Sequence, residues 1–315
     1  MALRPLQARS GDRGQGLTTA RALGVGLALL GAAPAAAAQA AFDTVQVRAV
    51  MVAPGVHLLT GRGGNIGVSS GPDGVFLVDD QYAPLTEKVL AALRTLSPEP
   101  PRFVLNTHWH GDHTGGNENL GKAGALIVAH ENVRQRMSVE QFNALLDRRT
   151  PASPPGALPV VTFTAAVTFY LNGDTVHVFH VPAAHTDGDA IVHFRRAGVI
   201  HAGDTFFNGR YPVLDVSAGG TVDGMIRAAD TILALAGPAT PIIPGHGPLG
   251  GRADLERFRA MLVATRDAVR AAMQDGRTVD QVLAAKPTAP WDEAWGDGFV
   301  NGERWTRALY ADLSR

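Results

Sequence analysis

The 315-residue chain contains no cysteine. That excludes disulfides, thiolate metal ligands and anchoring through a lipidated N-terminal cysteine, so stability must come from core burial and any bound ion. An excess of one charge is also missing. With 28 Lys+Arg against 29 Asp+Glu, there is no field to gather nucleic acid or hold the protein on a membrane surface. The apolar run from Leu23 to Ala33 falls short of the ~20 residues of a membrane-crossing helix. It lies behind Arg4, Arg9, Arg13 and Arg21 and ahead of Ala38-Gln39-Ala40, so residues 1–40 read as a secretory signal cleaved before Ala41, and a periplasmic or secreted protein is expected. Cleavage would remove four of the basic residues and one acidic residue, leaving a mildly acidic mature chain.

What the chain has instead is histidine, 11 residues in all, and three of them crowd with an aspartate into six positions, His108-Trp109-His110-Gly111-Asp112-His113. The apolar residues just ahead, 102–105, read as a buried strand, so the cluster lies where a strand runs out into a loop. Side chains alternate along extended chain, which points His108 and His110 the same way, and a turn at Gly111 brings Asp112 and His113 round to a second point. Neutral imidazole and carboxylate suit zinc and related first-row metals, so two metal ions are expected here.

Around the cluster, short apolar runs broken by Pro, Gly and Asp predict a meander of strands at residues 45–47, 55–59, 65–69 and 75–79. His57 lies in one of them and reads as a packed strand residue. Asp79, at the end of the most apolar strand, suits either a plain turn or a brace for the histidine loop. Leu85, Val89, Leu93 and Leu96 behind Pro84 predict a sheet-packing helix over 84–96. A helix near Gly116, a strand over 125–129 and a helix from His130 follow. Residues 147–160 carry Pro, Gly and charge without periodicity, and read as a surface linker between two halves of similar plan. The second half is expected to run through strands at 160–163, 167–171, 175–181, 190–194 and 199–201, a helix at 222–235 and a strand at 241–243. Beyond Gly250 the pattern turns helical: a long amphipathic helix to Gly276, a capping box at 278–281, and a tail in which Trp291, Trp295 and Trp305 act as packing anchors.

Three strand ends in the second half carry a His or Asp: His185, Asp204 and His246. Each alone is a weak signal. In this order behind the cluster, they resemble the metallo-β-lactamase superfamily, whose signature is similar to His108-x-His110-x-Asp112-His113, over about residues 55–250. The resemblance implies an α/β fold, an αββα sandwich of two packed mixed sheets with outer helices, followed here by C-terminal helices. Residues 41–250 would form the hydrolase domain and residues 251–315 a helical extension packed on it. It further implies His108, His110 and His185 on one divalent metal, Asp112, His113 and His246 on a second, and Asp204 between them. Zinc is the expected metal, and manganese and iron accept the same ligand set. His57, His130, His177, His180, His193 and His201 match no ligand position; His201, three residues before Asp204, reads as strand filler ahead of a support for that carboxylate.

Two such metals, ~3.5–4 Å apart, would share a hydroxide that attacks a carbonyl carbon, and Asp112 would orient it and move its proton. The implied substrate is a small ester, thioester, lactone or β-lactam amide. Asp204 stands where lactamases with a cysteine ligand carry that residue, which resembles the broader branch of glyoxalase-II-like thioesterases and lactonases. A true β-lactamase and a non-catalytic metal-dependent binding protein are the alternatives. A nuclease would want a basic surface and an added domain, so no nucleic-acid partner is expected, nor stable membrane insertion after signal cleavage. Asn208, Arg210 and Tyr211, following Asp204, are candidates for the mouth of the site: Arg210 for a substrate carboxylate, Asn208 or Tyr211 for an oxyanion. Oligomeric state has no signature in this sequence.

Overall fold

A strand that is apolar on both faces can be buried only between two layers, and β-strand side chains alternate between faces. The computed structural model, which describes residues 41–143 and 147–315, shows this arrangement. The chain begins with β1 (Arg48–Ala53), β2 (Val56–Thr60), β3 (Ile66–Gly71), β4 (Gly74–Val78), β5 (Pro101–Asn106) and β6 (Leu126–His130). A small hairpin of β7 (Gln141–Asn143) and β8 (Arg148–Thr150) precedes β9 (Val161–Phe163). Strands β1 to β6 and then β9 form one seven-stranded sheet, antiparallel through β4 and parallel from β4 to β9. The second sheet has β10 (Ala166–Leu171), β11 (Asp174–His180), β12 (Ala190–Phe194), β13 (Val199–His201) and β14 (Ile242–Ile243) in sequence order, with only the last pair parallel.

The sheets pack face to face through Leu58, Phe76, Val78 and Leu105 from the first and Val176, Val178, Val192 and Phe194 from the second. Phe76 and Phe194 are fully buried, each worth about 1.5–3 kcal/mol of apolar burial. The alternate residues Leu59, Leu77 and Val104 face outward against Val89 and Leu93 of α1 (Thr86–Arg94). Four further helices matter to the site: α2 (Gly111–Thr114), α3 (Asn117–Lys122), α4 (Glu131–Met137) and α5 (Val222–Leu235). Helix α5 starts where Thr221 Oγ1 accepts from Gly224 N at 2.8 Å, and it buries Met225, Ala229 and Ile232 against the outer face of the second sheet. Helices α6 (Arg252–Gln274), α7 (Val279–Ala284), α8 (Ala289–Trp295) and α9 (Gly302–Leu313) complete that layer. Trp305 of α9 is fully buried and its indole N–H donates to Thr265 Oγ1 at 3.0 Å. The α/β sandwich of two mixed sheets with outer and C-terminal helices follows the sequence expectation.

Several details differ. The first strand starts at Arg48, after the expected 45–47 segment. The expected helix over 84–96 is a 3-10 turn (Ala83–Leu85) followed by α1, which ends at Arg94. The stretch 147–160 is not all linker, because β8 pairs with β7 there. Strand β9 runs parallel to β6 in the first sheet, so the divide between halves falls after it. A three-residue apolar run carries no record of which sheet will accept it. The expected signal at residues 1–40 lies outside the described residues. Among the described residues, no helix is long and apolar enough to cross a membrane.

Candidate metal centre

The cluster takes its shape from the loop after β5. His113 N and Thr114 N both donate to His110 O, at 3.0 and 3.1 Å, which winds the chain into the single turn of α2. Asn106 and Asn117 exchange side-chain amide bonds of 3.0 and 2.9 Å across the loop, and Gly116 N donates to Asp80 Oδ1 at 2.9 Å. Two glycines let neighbouring chain approach. A Cβ on Gly64 would lie 2.1 Å from His113 Cε1, and one on Gly245 would lie 1.9 Å from Asp204 Oδ1.

His185, Asp204 and His246 arrive from the loops after β11, β13 and β14. His110 Nδ1 lies 3.1 Å from His108 Nε2 and 2.9 Å from His185 Nε2. On the other side, His246 Nε2 lies 3.4 Å from His113 Nε2 and 3.2 Å from Asp112 Oδ2. Asp204 stands between the triads, with Oδ2 3.5 Å from the Nε2 atoms of both His185 and His246 and Oδ1 3.2 Å from His113 Nε2. Within each of the sets His108, His110, His185, Asp204 and Asp112, His113, His246, the candidate ligand atoms lie within 4.8 Å of one another.

The outward ring nitrogens decide what this geometry can hold. His110 Nε2 faces Asp215 Oδ2 at 2.9 Å, His113 Nδ1 faces Asp79 Oδ2 at 2.8 Å, and His185 Nδ1 faces the Val213 carbonyl at 2.6 Å. Thr107 Oγ1 donates to Asp79 Oδ2 at 2.8 Å, which leaves it to accept from His108 Nδ1 at 3.1 Å. His108, His110 and His185 thus carry the ring proton outward and turn a lone pair inward; His113, which burial lowers but Asp204, Asp112 and Asp79 raise well above the usual imidazole value, does so on losing its second proton. Lone pairs facing one another around two carboxylates repel unless a cation lies among them. Asp204 Oδ1 is also buried with no hydrogen-bond donor, a state that costs free energy unless an ion is met. The donor set fits divalent metal ions.

Asp79 is the brace that the sequence left open. Buried and in the left-handed region at φ 65°, it accepts from Thr107 N at 2.7 Å as well as from Thr107 Oγ1 and His113. Gln81, at φ 68°, accepts from Gly63 N at 2.7 Å and donates to the Gly64 carbonyl. Non-glycine residues there cost on the order of 1–3 kcal/mol each, and these bonds hold them. His201 supports Asp204 without joining the cluster: its Nδ1 accepts from Gly203 N and its Nε2 meets the Asn65 carbonyl, both at 3.2 Å.

Protonation follows the same balance. Burial pushes His185 down to about 4 and His108 well below the usual imidazole value. Burial acts on His246 in the same direction, but the carboxylates of Asp204 and Asp112 overcome it and raise the ring to about 9. Asp112 is driven upward by burial and downward by His113 and His246, and it ends below the ordinary carboxylate range. Without metal, protons therefore supply the positive charge that the carboxylates require. A group raised to about 9 is protonated at pH 7.5 and must lose that proton to bind metal. Loading metal-free protein at pH 7.5 is expected to release protons, and apparent affinity to rise with pH towards 9. Calorimetry in two buffers of different ionisation enthalpy measures the release, and identical heats in both would refute it.

A cavity of about 520 Å³ opens on the cluster, with Tyr82, Trp109, Phe207, Phe299 and Val300 among its walls. Of the residues expected at its mouth, Arg210 and Tyr211 line it, and Arg210 is exposed. The polar groups of Asn208 and Tyr211, expected to face an oxyanion, have partners within the fold. Asn208 Nδ2 donates to the Pro248 carbonyl at 3.0 Å, and the buried Tyr211 hydroxyl donates to Asp292 Oδ1 at 2.9 Å, with the Thr288 carbonyl 3.2 Å away. Both groups are committed to holding the loop. Sequence reasoning missed Asp215, whose signal was a lone charge in the apolar run Val213-Leu214-Asp215-Val216. It also missed Arg62 and Arg148 on the cavity wall, which carry no local pattern at all.

A model of the metallo-beta-lactamase superfamily matches residues 59–252. A hydroxyacylglutathione hydrolase from Erythrobacter litoralis is 29% identical over 105 residues, 33% of this chain, and the match spans only 34% of that relative's length. Among solved structures, a metallo-beta-lactamase from Pontibacter korlensis superposes with TM-score 0.57 at 21% identity, covering 69% of this chain and 99% of that one. A stereoselective inverting sec-alkylsulfatase from Pseudomonas sp. gives TM-score 0.62 at 17% identity over 84% of this chain and 50% of that one. At such identities the structural likeness speaks for the fold alone.

Proposed function

The chain belongs to the metallo-β-lactamase superfamily, and from that premise we propose that it is a metal-dependent hydrolase of small carbonyl compounds. One observation carries the reading: imidazole lone pairs and two carboxylates converge at the floor of a cavity, with Asp204 Oδ1 buried and lacking a donor. Metal ions held there would supply Lewis acidity and draw the pKa of water towards neutrality. His108, His110 and His185 would hold one ion, Asp112, His113 and His246 the other, with Asp204 between them.

The chain's own residues divide the remaining work. Asp112, with its side chain 21% exposed beside His246, reaches the cavity and is the group placed to take a proton from the attacking water. Asp215, Asp79 and the Val213 carbonyl keep the ligand rings in one orientation and one tautomer. The buried Trp109 and Phe207 give the cavity apolar walls that would keep water from the flanks of the substrate. The partial match to a hydroxyacylglutathione hydrolase favours esters and thioesters as the leading substrates, ahead of lactones and β-lactams. Export remains part of the reading on the strength of residues 1–40 alone.

Purified protein is expected to carry two metals per chain and to cleave a panel of para-nitrophenyl esters, acyl thioesters, lactones and nitrocefin in a substrate-dependent way. Dialysis against a chelator should remove that activity, and zinc or manganese should restore it. Protein that holds two metals and leaves every member of the panel intact would overturn the hydrolase reading in favour of a metal-dependent binding protein.

A further inference from the structure

Residues 41–45 lie ahead of the stretch that the superfamily model matches, yet side chains from two loops and a helix next to the cavity hold them. A lysine ammonium has three donors, and all three of Lys88, half-buried on α1, go to this one segment. Its Nζ donates to the Phe42, Asp43 and Val45 carbonyls at 2.9, 2.6 and 2.8 Å. Arg62 Nη1 donates to the Ala41 carbonyl at 2.9 Å, and Val45 N closes a turn on the Phe42 carbonyl at 3.1 Å. A five-residue stretch outside any sheet buries too little apolar surface to offset the entropy of ordering it. Here two cations grip its carbonyls instead.

What the grip presents is the Phe42 ring. The Tyr82 ring meets it edge-on, with centroids 5.5 Å apart and planes at 62°, and the Arg62 guanidinium lies 5.3 Å from its centroid. Tyr82 and Arg62 line the cavity, and Phe42 stands behind them. Their two loops also frame the metal cluster: Gly63 N donates to Gln81 Oε1 at 2.7 Å, and Gly64 N to the Asp112 carbonyl at 3.1 Å. An exposed arginine at an open cavity has many rotamers to choose from; stacked on Phe42 and bonded to Ala41, Arg62 keeps one. We propose that Phe42 is a positioning residue for substrate binding, presented by a strap of residues 41–45 that Lys88 locks, and that it fixes Tyr82 and Arg62 as one preformed wall of the cavity. Preorganising a wall lowers the ordering cost of binding without touching the reacting groups, so the effect falls on affinity. This inference rests on the hydrolase reading above and adds to it a residue outside the cavity that governs how tightly substrate is held.

The test measures kcat and KM separately for para-nitrophenyl butyrate on metal-loaded protein, with metal per chain and far-UV circular dichroism alongside. F42A and K88A should each raise KM about three- to tenfold while kcat and metal content stay close to wild type. F42Y keeps an aromatic ring at that position and should restore most of the wild-type KM. In a Y82A background the F42A step should shrink, because a group that Phe42 positions is already gone. A KM unchanged in F42A, or a step of equal size in both backgrounds, would overturn the proposal, as would a loss of kcat and metal with no change in KM. Should wild-type protein leave the ester intact, the hydrolase reading fails separately. Hydrogen exchange then decides the strap: faster exchange of the Gly63 and Gly64 amides in both F42A and K88A supports it, and exchange at the wild-type rate removes it.

Discussion

Replacing His110 with alanine should abolish hydrolysis, lowering kcat/KM on the order of a thousandfold or more, because Lewis-acid stabilisation is worth several kcal/mol of barrier. His110 Nδ1 is the hub of its triad, 2.9 Å from His185 Nε2 and 3.1 Å from His108 Nε2. No conservative rearrangement of the other two rings fills that position. The ring is 18% exposed, so the loss removes little core packing and the variant should fold. It does strand the buried Asp215 carboxylate, which now faces His110 Nε2, and that should weaken the site further. Elemental analysis should find less than two metals per chain in the variant while its far-UV circular dichroism stays that of the wild type. Wild-type turnover with a full metal complement would remove His110 from the site.

Asp79→Ala tests a different layer and should show its largest effect in stability. The carboxylate is fully buried and accepts from Thr107 N, Thr107 Oγ1 and His113 Nδ1. Removing it leaves three buried donors without an acceptor, and losing one partner of a buried charged pair costs about 3–5 kcal/mol. Metal affinity should fall as well, by roughly 10–100-fold, since the His113 ring loses the group that fixes its tautomer. Denaturant unfolding of chelator-treated protein isolates the stability effect, and metal titration of folded protein measures the other. Asp215→Ala makes the comparison: it frees His110 Nε2 and one contact from Ala218 N, so its affinity loss should be similar and its stability loss smaller. An Asp79 variant as stable as the wild type would mean that the loop is held by other bonds, such as the Asn106 and Asn117 pair.

The candidate ligands were legible in the sequence because metal coordination demands particular side chains, and His108, His110, Asp112 and His113 crowd together at one strand end. The resemblance then supplied the distant ones, His185, Asp204 and His246. The strands could be read from their apolar alternation, as at Phe76 to Val78. What escaped reading was whatever depends on the meeting of distant chain. Val161 to Phe163 is an ordinary short run until β6 accepts it. Asp215 is one aspartate among many until His110 reaches it across 105 positions. Tyr211 lines the cavity and Asn208 does not, and the polar atoms of both have neighbours that the sequence does not name, Asp292 and Pro248.

The Tyr211 contact also bears on modularity. The superfamily model's match ends at residue 252, and a chain cut at that boundary would end inside the first turn of α6. Yet the loop that leaves Asp204 is fastened from beyond it: Tyr211 N donates to the Trp295 carbonyl at 2.8 Å, its hydroxyl to Asp292, and its ring stacks on Trp305 with centroids 6.1 Å apart. The C-terminal helices are thus part of the scaffold that holds the loop leaving Asp204. An exchange of this core would need to carry α6 to α9 with it, because the unit that can be transplanted is larger than the stretch that the superfamily model matches.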